Sequence, residues 1–364
     1  MTKYIYQHEN WTDFSWSNAV VSAALGEARL LQGGIWGQIR SLGFSSKEEK
    51  NLEILTLDVL KSSEIEGEKL DLEQVRSSIA RRLGINTAGL APSSRNVEGV
   101  VEMMLDATQN FNNPLTHERL FGWHAALFPT GYSGIYKIEV AKYRSGEMRI
   151  VSGAAGKEKV HYIAVAAKDV KAEMDKFFAW LNNEKLVIDG VLKAAIAHFW
   201  FIVIHPFDDG NGRIARAISD MLLARSENSA ERFYSLSKQI LAERNAYYAV
   251  LKKTQHGSDI TDWLVWFLNC LQSAMRETES GMQNILLKAQ FWEKHKDIQI
   301  NERQRLMINK VFDDFYGKLT SSKWAKITKT SPDTALRDIK DLIEKGILKQ
   351  DKAGGRSTGY TLVC

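Results

Sequence analysis

The sequence predicts a mainly α-helical protein with one small β-hairpin in its body and a separate helical tail, and three observations carry this expectation. An apolar period of about 3.6 residues recurs at 47–61, 72–83, 96–110, 170–181, 191–202, 214–225 and 261–275. β-prone residues in the body gather in two short runs, 148–151 and 159–163, about a glycine-rich turn, and so predict a hairpin flap. After a polar helical stretch at 280–296 the pattern changes, from about Asp297, to shorter helices and a closing pair of β-prone runs.

In that tail, helices are expected at 303–316, 321–327 and 331–345. Ser331 is a good N-cap with Pro332 at the first helical position, and Gly346 is a good C-cap. The runs 347–350 and 360–363 flank KAGGRSTG, a basic turn of hairpin type that carries Lys352 and Arg356. Three helices followed by a hairpin resemble a winged helix-turn-helix. No internal repeat or low-complexity segment breaks the chain, so neither a solenoid nor an array is indicated.

Composition excludes several classes. A chain of 364 residues with 44% hydrophobic and 25% charged residues is long enough for two or three domains and has the balance of an ordinary globular protein. With only 2 cysteines, Cys270 and Cys364, and no CxxC pair, neither a disulfide scaffold nor a zinc framework is expected. The opening MTKYIYQHENW lacks a basic region followed by an apolar one, and the longest apolar run, 199–204, is too short to span a bilayer. The expectation is therefore a reducing, cytoplasmic setting without membrane contact. A formal charge of +4 is too mild to argue for a nucleic-acid partner.

The chemistry concentrates in HPFDDGNGRIAR, residues 205–216, between an apolar helix and an amphipathic one. Gly210, Asn211 and Gly212 provide a flexible backbone whose N–H groups can converge on an anion at a helix N-terminus. Arg213 and Arg216, at i and i+3, share a helix face and can grip a polyphosphate. Asp208 and Asp209 offer hard oxygen ligands suited to Mg²⁺ held between a carboxylate and phosphates. His205, with an imidazole that titrates near neutrality, can accept a proton from an attacking hydroxyl. Each residue alone has a plain structural use; together they supply the parts for transfer at phosphorus. His198 lies seven residues before His205, but no third ligand of metal-site spacing is near.

The segment matches the Fic signature HxFx(D/E)GNGRxxR at every fixed position, and the chain resembles Fic-family protein adenylyltransferases. That resemblance implies ATP and Mg²⁺, with His205 as general base, Asp209 as metal ligand, and Gly210, Asn211, Gly212, Arg213 and Arg216 around the phosphates. Asn211 and Arg213 are counted with His205 as catalytic. Asp208 holds a variable position, and Phe207 is expected to pack in the core. Doc-like relatives that phosphorylate their targets carry lysine where this chain has Gly212, so the resemblance favours AMP transfer to a protein hydroxyl, on another chain or its own. It also makes the hairpin a flap that holds a target segment by strand addition. Here VHYIAVA stands where VHYxPP is frequent.

Upstream, Ser62-Ser-Glu-Ile-Glu-Gly67 matches the inhibitory pattern (S/T)xxxE(G/N) of many Fic proteins. Ser62 and Glu66, at i and i+4, share a helix face, and Gly67 reads as a helix end. By resemblance Glu66 pairs with Arg216 and keeps ATP in an unproductive pose. It is also a candidate for orienting water in the removal of AMP. The resemblance divides the chain into an N-terminal helical region with the inhibitory motif (1–90), a catalytic core (91–275), a linker helix (276–296) and a winged-helix domain (297–364). A helical body rich in aromatics suits a homodimer. Two rivals stand beside this reading: a Fic fold that transfers phosphate or phosphocholine, and a DNA-binding regulator whose core senses nucleotide. For the second, Arg337, Lys340 and Lys345 on the tail helix are balanced by Asp333, Asp338, Asp341 and Glu344.

Overall fold

The computed structural model of the chain describes residues 4–40, 44–85, 91–152, 159–315, 317–351 and 358–363. The turn of the expected flap, 153–158, and the wing residues Lys352 and Arg356 lie outside the described residues. Two compact units are formed, Met1–Glu277 and Thr278–Cys364.

The first unit begins with α1 (Asn18–Arg40), α2 (Phe44–Ile65), α3 (Leu72–Leu83), α4 (Arg95–Gln109) and α5 (His117–Leu127). Two short antiparallel pairs follow, β1 (Tyr132–Ser133) with β2 (Tyr136–Lys137) and β3 (Arg149–Ser152) with β4 (Lys159–Ile163). Next come α6 (Val170–Leu181), α7 (Gly190–Ile204), α8 (Asn211–Glu227), α9 (Leu236–Ala242), α10 (Arg244–Thr254) and α11 (Thr261–Lys294), whose residues from Thr278 onward belong to the second unit. All seven apolar periods emerge as helices. α7 is the core helix: every residue from Ala194 to Ile204 is buried, as expected of a helix that is apolar all round. It packs against α8, and the loop 205–210 joins them. Among the described residues no helix is long and apolar enough to cross a membrane.

The expected flap forms from β3 and β4. Ile150 faces Tyr162, and a register shift after Ile150 leaves His161 as the extra residue before Val151 pairs with Val160. The Tyr162 hydroxyl donates to the Val203 carbonyl at 2.7 Å and ties the flap to the core helix. The β1–β2 pair has no counterpart among the expected strands, because two-residue ladders are too short to show alternation.

α2 ends in a glycine cap. Gly67 has φ +87°, its N–H donates to Glu64 O at 3.0 Å, and the Glu68 N–H donates to Ser63 O at 3.0 Å. These two bonds are the 5→2 and 6→1 links of a Schellman motif with Glu66 as the cap residue. The helix therefore stops where Glu66 leaves it, and a side chain at position 67 would be strained.

In the second unit, α12 (Glu302–Asp314), α13 (Ser321–Thr328) and α14 (Pro332–Glu344) precede an antiparallel pair, β5 (Leu348–Gln350) and β6 (Tyr360–Leu362). Its core gathers Met307, Trp324, Ile339, Leu342, Ile347 and Tyr360, together with Phe291 from the last turns of α11. Ser331 Oγ accepts the Thr334 N–H at 3.2 Å, and Gly346 ends α14 with φ +71°.

Candidate active site

His205 caps α7 in the left-handed region, φ 51° and ψ 62°, a costly backbone for a non-glycine residue that swings the chain out of the helix. Arg144, only 2% exposed, fixes this turn: Nε donates to His205 O at 2.8 Å and Nη1 to Gly146 O at 2.9 Å, and Nη2 to Val165 O. The Arg144 N–H also donates to Pro206 O at 3.0 Å. Nδ1 of His205 lies 3.3 Å from Ile202 O, so in the neutral ring Nδ1 carries the proton and Nε2 keeps its lone pair. Burial pushes the imidazole down to about 4; the bond to Ile202 opposes this, and Arg144 adds to it.

The loop is latched from within. Asn211 Oδ1 accepts the Phe207 N–H at 3.0 Å, and Asn211 Nδ2 donates to Phe207 O at 2.8 Å. Phe207 is fully buried and stacks on His124 at 4.1 Å. His124 Nε2 lies 3.2 Å from Asp209 O, and its Nδ1 accepts the Ala141 N–H at 3.2 Å. Asn211 thus uses its amide on the loop and offers a ligand its backbone N–H. The first intrahelical bond of α8 is Ile214 N–H to Gly210 O at 3.0 Å. The N–H groups of Asn211, Gly212 and Arg213 precede it, so they carry the orphan donors and positive dipole end of a helix start.

The two aspartates are used differently. Asp208 Oδ2 accepts the Glu139 N–H at 3.0 Å and so braces the loop. Asp209 Oδ1 accepts the Gly210 N–H at 2.6 Å and Oδ2 accepts from Ser133 Oγ, while the side chain stays 42% exposed.

Ser62, Glu66 and Arg216 meet although more than 150 residues separate the serine from the arginine. Arg216, 1% exposed, donates from Nε to Ser62 Oγ at 2.9 Å and from Nη2 to Ser62 O at 2.8 Å and to Glu66 Oε1 at 2.7 Å. Its Nη1 has no partner among the described residues. Glu66 thus lies beside the first turn of α8, where a Cβ at Gly212 would come within 2.1 Å of Oε1 and collide with the carboxylate.

Arg213 is also buried. Nη1 donates to Glu68 Oε2 at 2.7 Å, its guanidinium lies 5.0 Å above the Phe128 ring, and Nε has no partner among the described residues. A cavity of about 680 Å³ is lined by Glu66, His205, Asp209, Gly212, Tyr162, Tyr247, Tyr248 and Lys252. A second, of about 480 Å³, is lined by Glu66, Glu68, Thr130, Ser133, Asp209 and Arg213. Glu66 and Asp209 line both.

Of the expected site residues, His205, Asp209, Asn211 and Gly212 line the larger cavity with Glu66; Arg213 and Gly67 line the smaller one with Asp209; and Arg216 is bonded to Ser62 and Glu66. His198 is held in the core, Nδ1 2.9 Å from Ser219 Oγ and Nε2 2.9 Å from Tyr247 OH. Arg144, His124, Ser133 and Glu68 belong to the site without having been singled out in the sequence. None sits in a pattern of fixed spacing.

Residues 114–223 match the model of the Fic/DOC family, and residues 4–85 match that of a domain of unknown function, DUF4172. The protein adenylyltransferase fic-1 of Caenorhabditis elegans is 32% identical over 107 residues, 27% of this chain and 21% of the relative. The protein adenylyltransferase Fic of Aedes aegypti is 24% identical over 214 residues, 58% of this chain and 39% of the relative. The chain thus spans well under half the length of these curated relatives. Among solved structures, a Fic family protein from Desulfovibrio desulfuricans shares the fold with a TM-score of 0.54 and 21% identity, over 94% of this chain and 96% of that one. Fic-1 from C. elegans aligns with a TM-score of 0.52 and 21% identity, over 73% of this chain and 74% of that one. The match at residues 114–223 takes in the whole of 205–216, and the chain therefore carries a domain of the Fic/DOC family.

Proposed function

We propose that the body of this chain is a protein adenylyltransferase that moves AMP from ATP to a hydroxyl of a protein, another chain or itself, and that Glu66 holds it idle. The observation that carries this reading is the convergence on one cavity of about 680 Å³ of a neutral imidazole and the open first turn of α8. Beside that turn lie the guanidinium groups of Arg213 and Arg216, which suit a polyanion. The cavity volume is in the range of small-molecule sites.

Asp209 suits Mg²⁺, an ion that takes one or two protein carboxylates and completes its shell with phosphate oxygens and water. When bound, the ion neutralises phosphate charge. In the transfer, Nε2 of His205 accepts the proton of the target hydroxyl as that oxygen bonds to the α-phosphorus. The bond from the α-phosphorus to the bridging oxygen breaks, and pyrophosphate leaves with the electron pair. Arg213, Arg216 and the N–H groups of α8 compensate charge on the phosphates. Glycine at 212, where Doc-like relatives that phosphorylate their targets carry lysine, supports AMP transfer over phosphorylation.

Glu66 inhibits by occupying Arg216 and the helix start that the phosphates need. By the same reading Glu66, once released, orients water for the removal of AMP. Residues 1–90 are the inhibitory region and 91–275 the transfer core. In the tail, α12 to α14 with β5 and β6 are read as a winged helix that chooses the protein partner. Exposed Arg337 and Lys340 on α14 alternate with exposed Asp333 and Glu344, so the helix lacks the one-signed stripe that DNA phosphates select.

The test is incubation of the full chain with labelled ATP and candidate targets, followed by mass spectrometry. An added AMP is expected, and His205→Ala should lower transfer by roughly 10²–10⁴-fold while ATP still binds. An added phosphate or phosphocholine, or a fully active His205→Ala variant, overturns the reading.

A further inference from the structure

The glycine cap of α2 delivers two carboxylates to α8. Glu66 is the cap residue and Glu68 follows the turn at Gly67, so the two flank one left-handed residue. Glu66 meets Arg216 at 2.7 Å, and Glu68 meets Arg213 at 2.7 Å. The two arginines are i and i+3 on one face of α8. In each pair the cation is buried and the acid is the accessible partner: 1% against 31% for Arg216 and Glu66, 6% against 35% for Arg213 and Glu68. A buried guanidinium needs an anion beside it, and here an accessible carboxylate stands in wherever a phosphate would. Glu68 also lines the smaller cavity with Arg213, Ser133 and Asp209, and so has space beside it.

We infer that Glu68 is a second inhibitory residue, which withholds Arg213 from the nucleotide as Glu66 withholds Arg216. The inference rests on the proposed inhibition by Glu66 and extends it to a two-pronged lock. Glu68 acts through Arg213 and is in that sense a positioning residue. Removing Glu66 alone leaves Arg213 held, so ATP still has to displace one carboxylate. The inhibitory unit is therefore the segment 62–68 rather than one glutamate. A purely structural Glu68–Arg213 pair makes a different prediction: its loss lowers stability and leaves the ATP dependence unchanged.

The experiment uses the full chain in four forms, wild type, Glu66→Gly, Glu68→Gln and the double variant, with self-modification measured against ATP concentration. Relative to Glu66→Gly, the double variant should show a KM for ATP lower by about three- to tenfold with kcat little changed, as expected when a charge pair that competes with a ligand is removed. Glu68→Asp in the Glu66→Gly background, one methylene shorter, should fall between the two. Glu64→Gln is the control for general charge, because Glu64 pairs with Lys61 at 2.7 Å rather than with Arg213 or Arg216. Calorimetric titration with Mg²⁺ and ATP should show tighter binding by Glu68→Gln than by wild type. Equal KM values for the double and single variants overturn the proposal, and so does an equal fall with Glu64→Gln. Failure of Glu66→Gly to raise transfer instead overturns the reading on which it rests, and the calorimetry then decides on Glu68 alone.

Discussion

Helix α2 meets the surroundings of α8 at two places that are built on opposite plans. At its C-terminal end, partly exposed Glu66 and Glu68 pair with buried Arg216 and Arg213, and both carboxylates line a cavity. About two turns earlier, Asp58 accepts from Ser235 Oγ at 2.5 Å, and about two turns before that Asn51 Oδ1 accepts the Arg232 N–H at 2.8 Å. There Arg232 is 0% exposed, lies 2.8 Å from Asp220, itself 1% exposed, and 3.8 Å from Glu227, which is 2% exposed. Tyr234 donates to Glu227 and lies under the Arg232 guanidinium at 4.8 Å. No solvent reaches these charges. The closed junction holds α2 in register, with Asp58, Ser62 and Glu66 on one face at four-residue steps. The same pair of ion types is sealed from water at one place and partly exposed beside a cavity at the other.

The largest effect expected is at the closed junction. Arg232→Met leaves the carboxyl groups of Asp58, Asp220 and Glu227 buried together without a cation, and should lower unfolding free energy by about 3–5 kcal/mol. Urea titration measures this. A loss under about 1 kcal/mol, the range of exposed pairs, would erase the contrast between the junctions.

Next in size is the open junction. Glu66→Gly should raise AMP transfer on the order of 10–100-fold, the worth of removing a charge-assisted competitor of roughly 1.4–3 kcal/mol. Stability should fall by less than for Arg232→Met, because Glu66 is 31% exposed and Arg216 keeps both bonds to Ser62. Transfer rates and thermal melts on the same samples check both halves. A large stability loss with no gain in transfer would make this junction as structural as the other.

The smallest effect concerns pH. Burial, then the charge of Asp220, pushes the Asp58 carboxyl well above its ordinary value. A carboxyl with a raised folded pKa contributes stability that is fully present below its unfolded value, near 4. That contribution is lost as pH rises toward the raised value. Asp58→Asn cannot ionise, so its melting temperature relative to wild type should climb from pH 5 to pH 8, by an amount of order 1 kcal/mol in free energy. A difference that does not vary with pH would show that Asp58 titrates normally and that this junction is wetter than its burial indicates.

Much of the molecule was legible in the chain. The helices that carry the site announced themselves by apolar period, the loop 205–216 by the density of anion-binding and base chemistry in one short stretch, and the flap by paired β-prone runs. Helix α1 was not legible, since it contains Gly26, Gly33, Gly34 and Gly37 and buries a sparse face of Val21, Ala28, Gln32, Ile35 and Ile39. Glycine weakens intrinsic helix preference by about 1 kcal/mol per residue, and tertiary packing overrides it. Helix α11 was expected as two stretches but runs unbroken through Thr261–Lys294, the polar middle notwithstanding.

By itself, then, the sequence determined what depends on near neighbours: helix period, the cap at Gly67, the shared face of Ser62 and Glu66, and the chemistry of His205 to Arg216. Their backbone geometry and side-chain types are set within a few residues. The tertiary structure alone decided which charges meet. Glu68 reaches Arg213 across 145 residues and Arg144 reaches His205 across 61, with no spacing rule to link them. It also decided which pairs stay dry: Arg232 with Asp220 and Arg216 with Glu66 have the same chemistry in sequence, and only the packing around them seals one and opens the other.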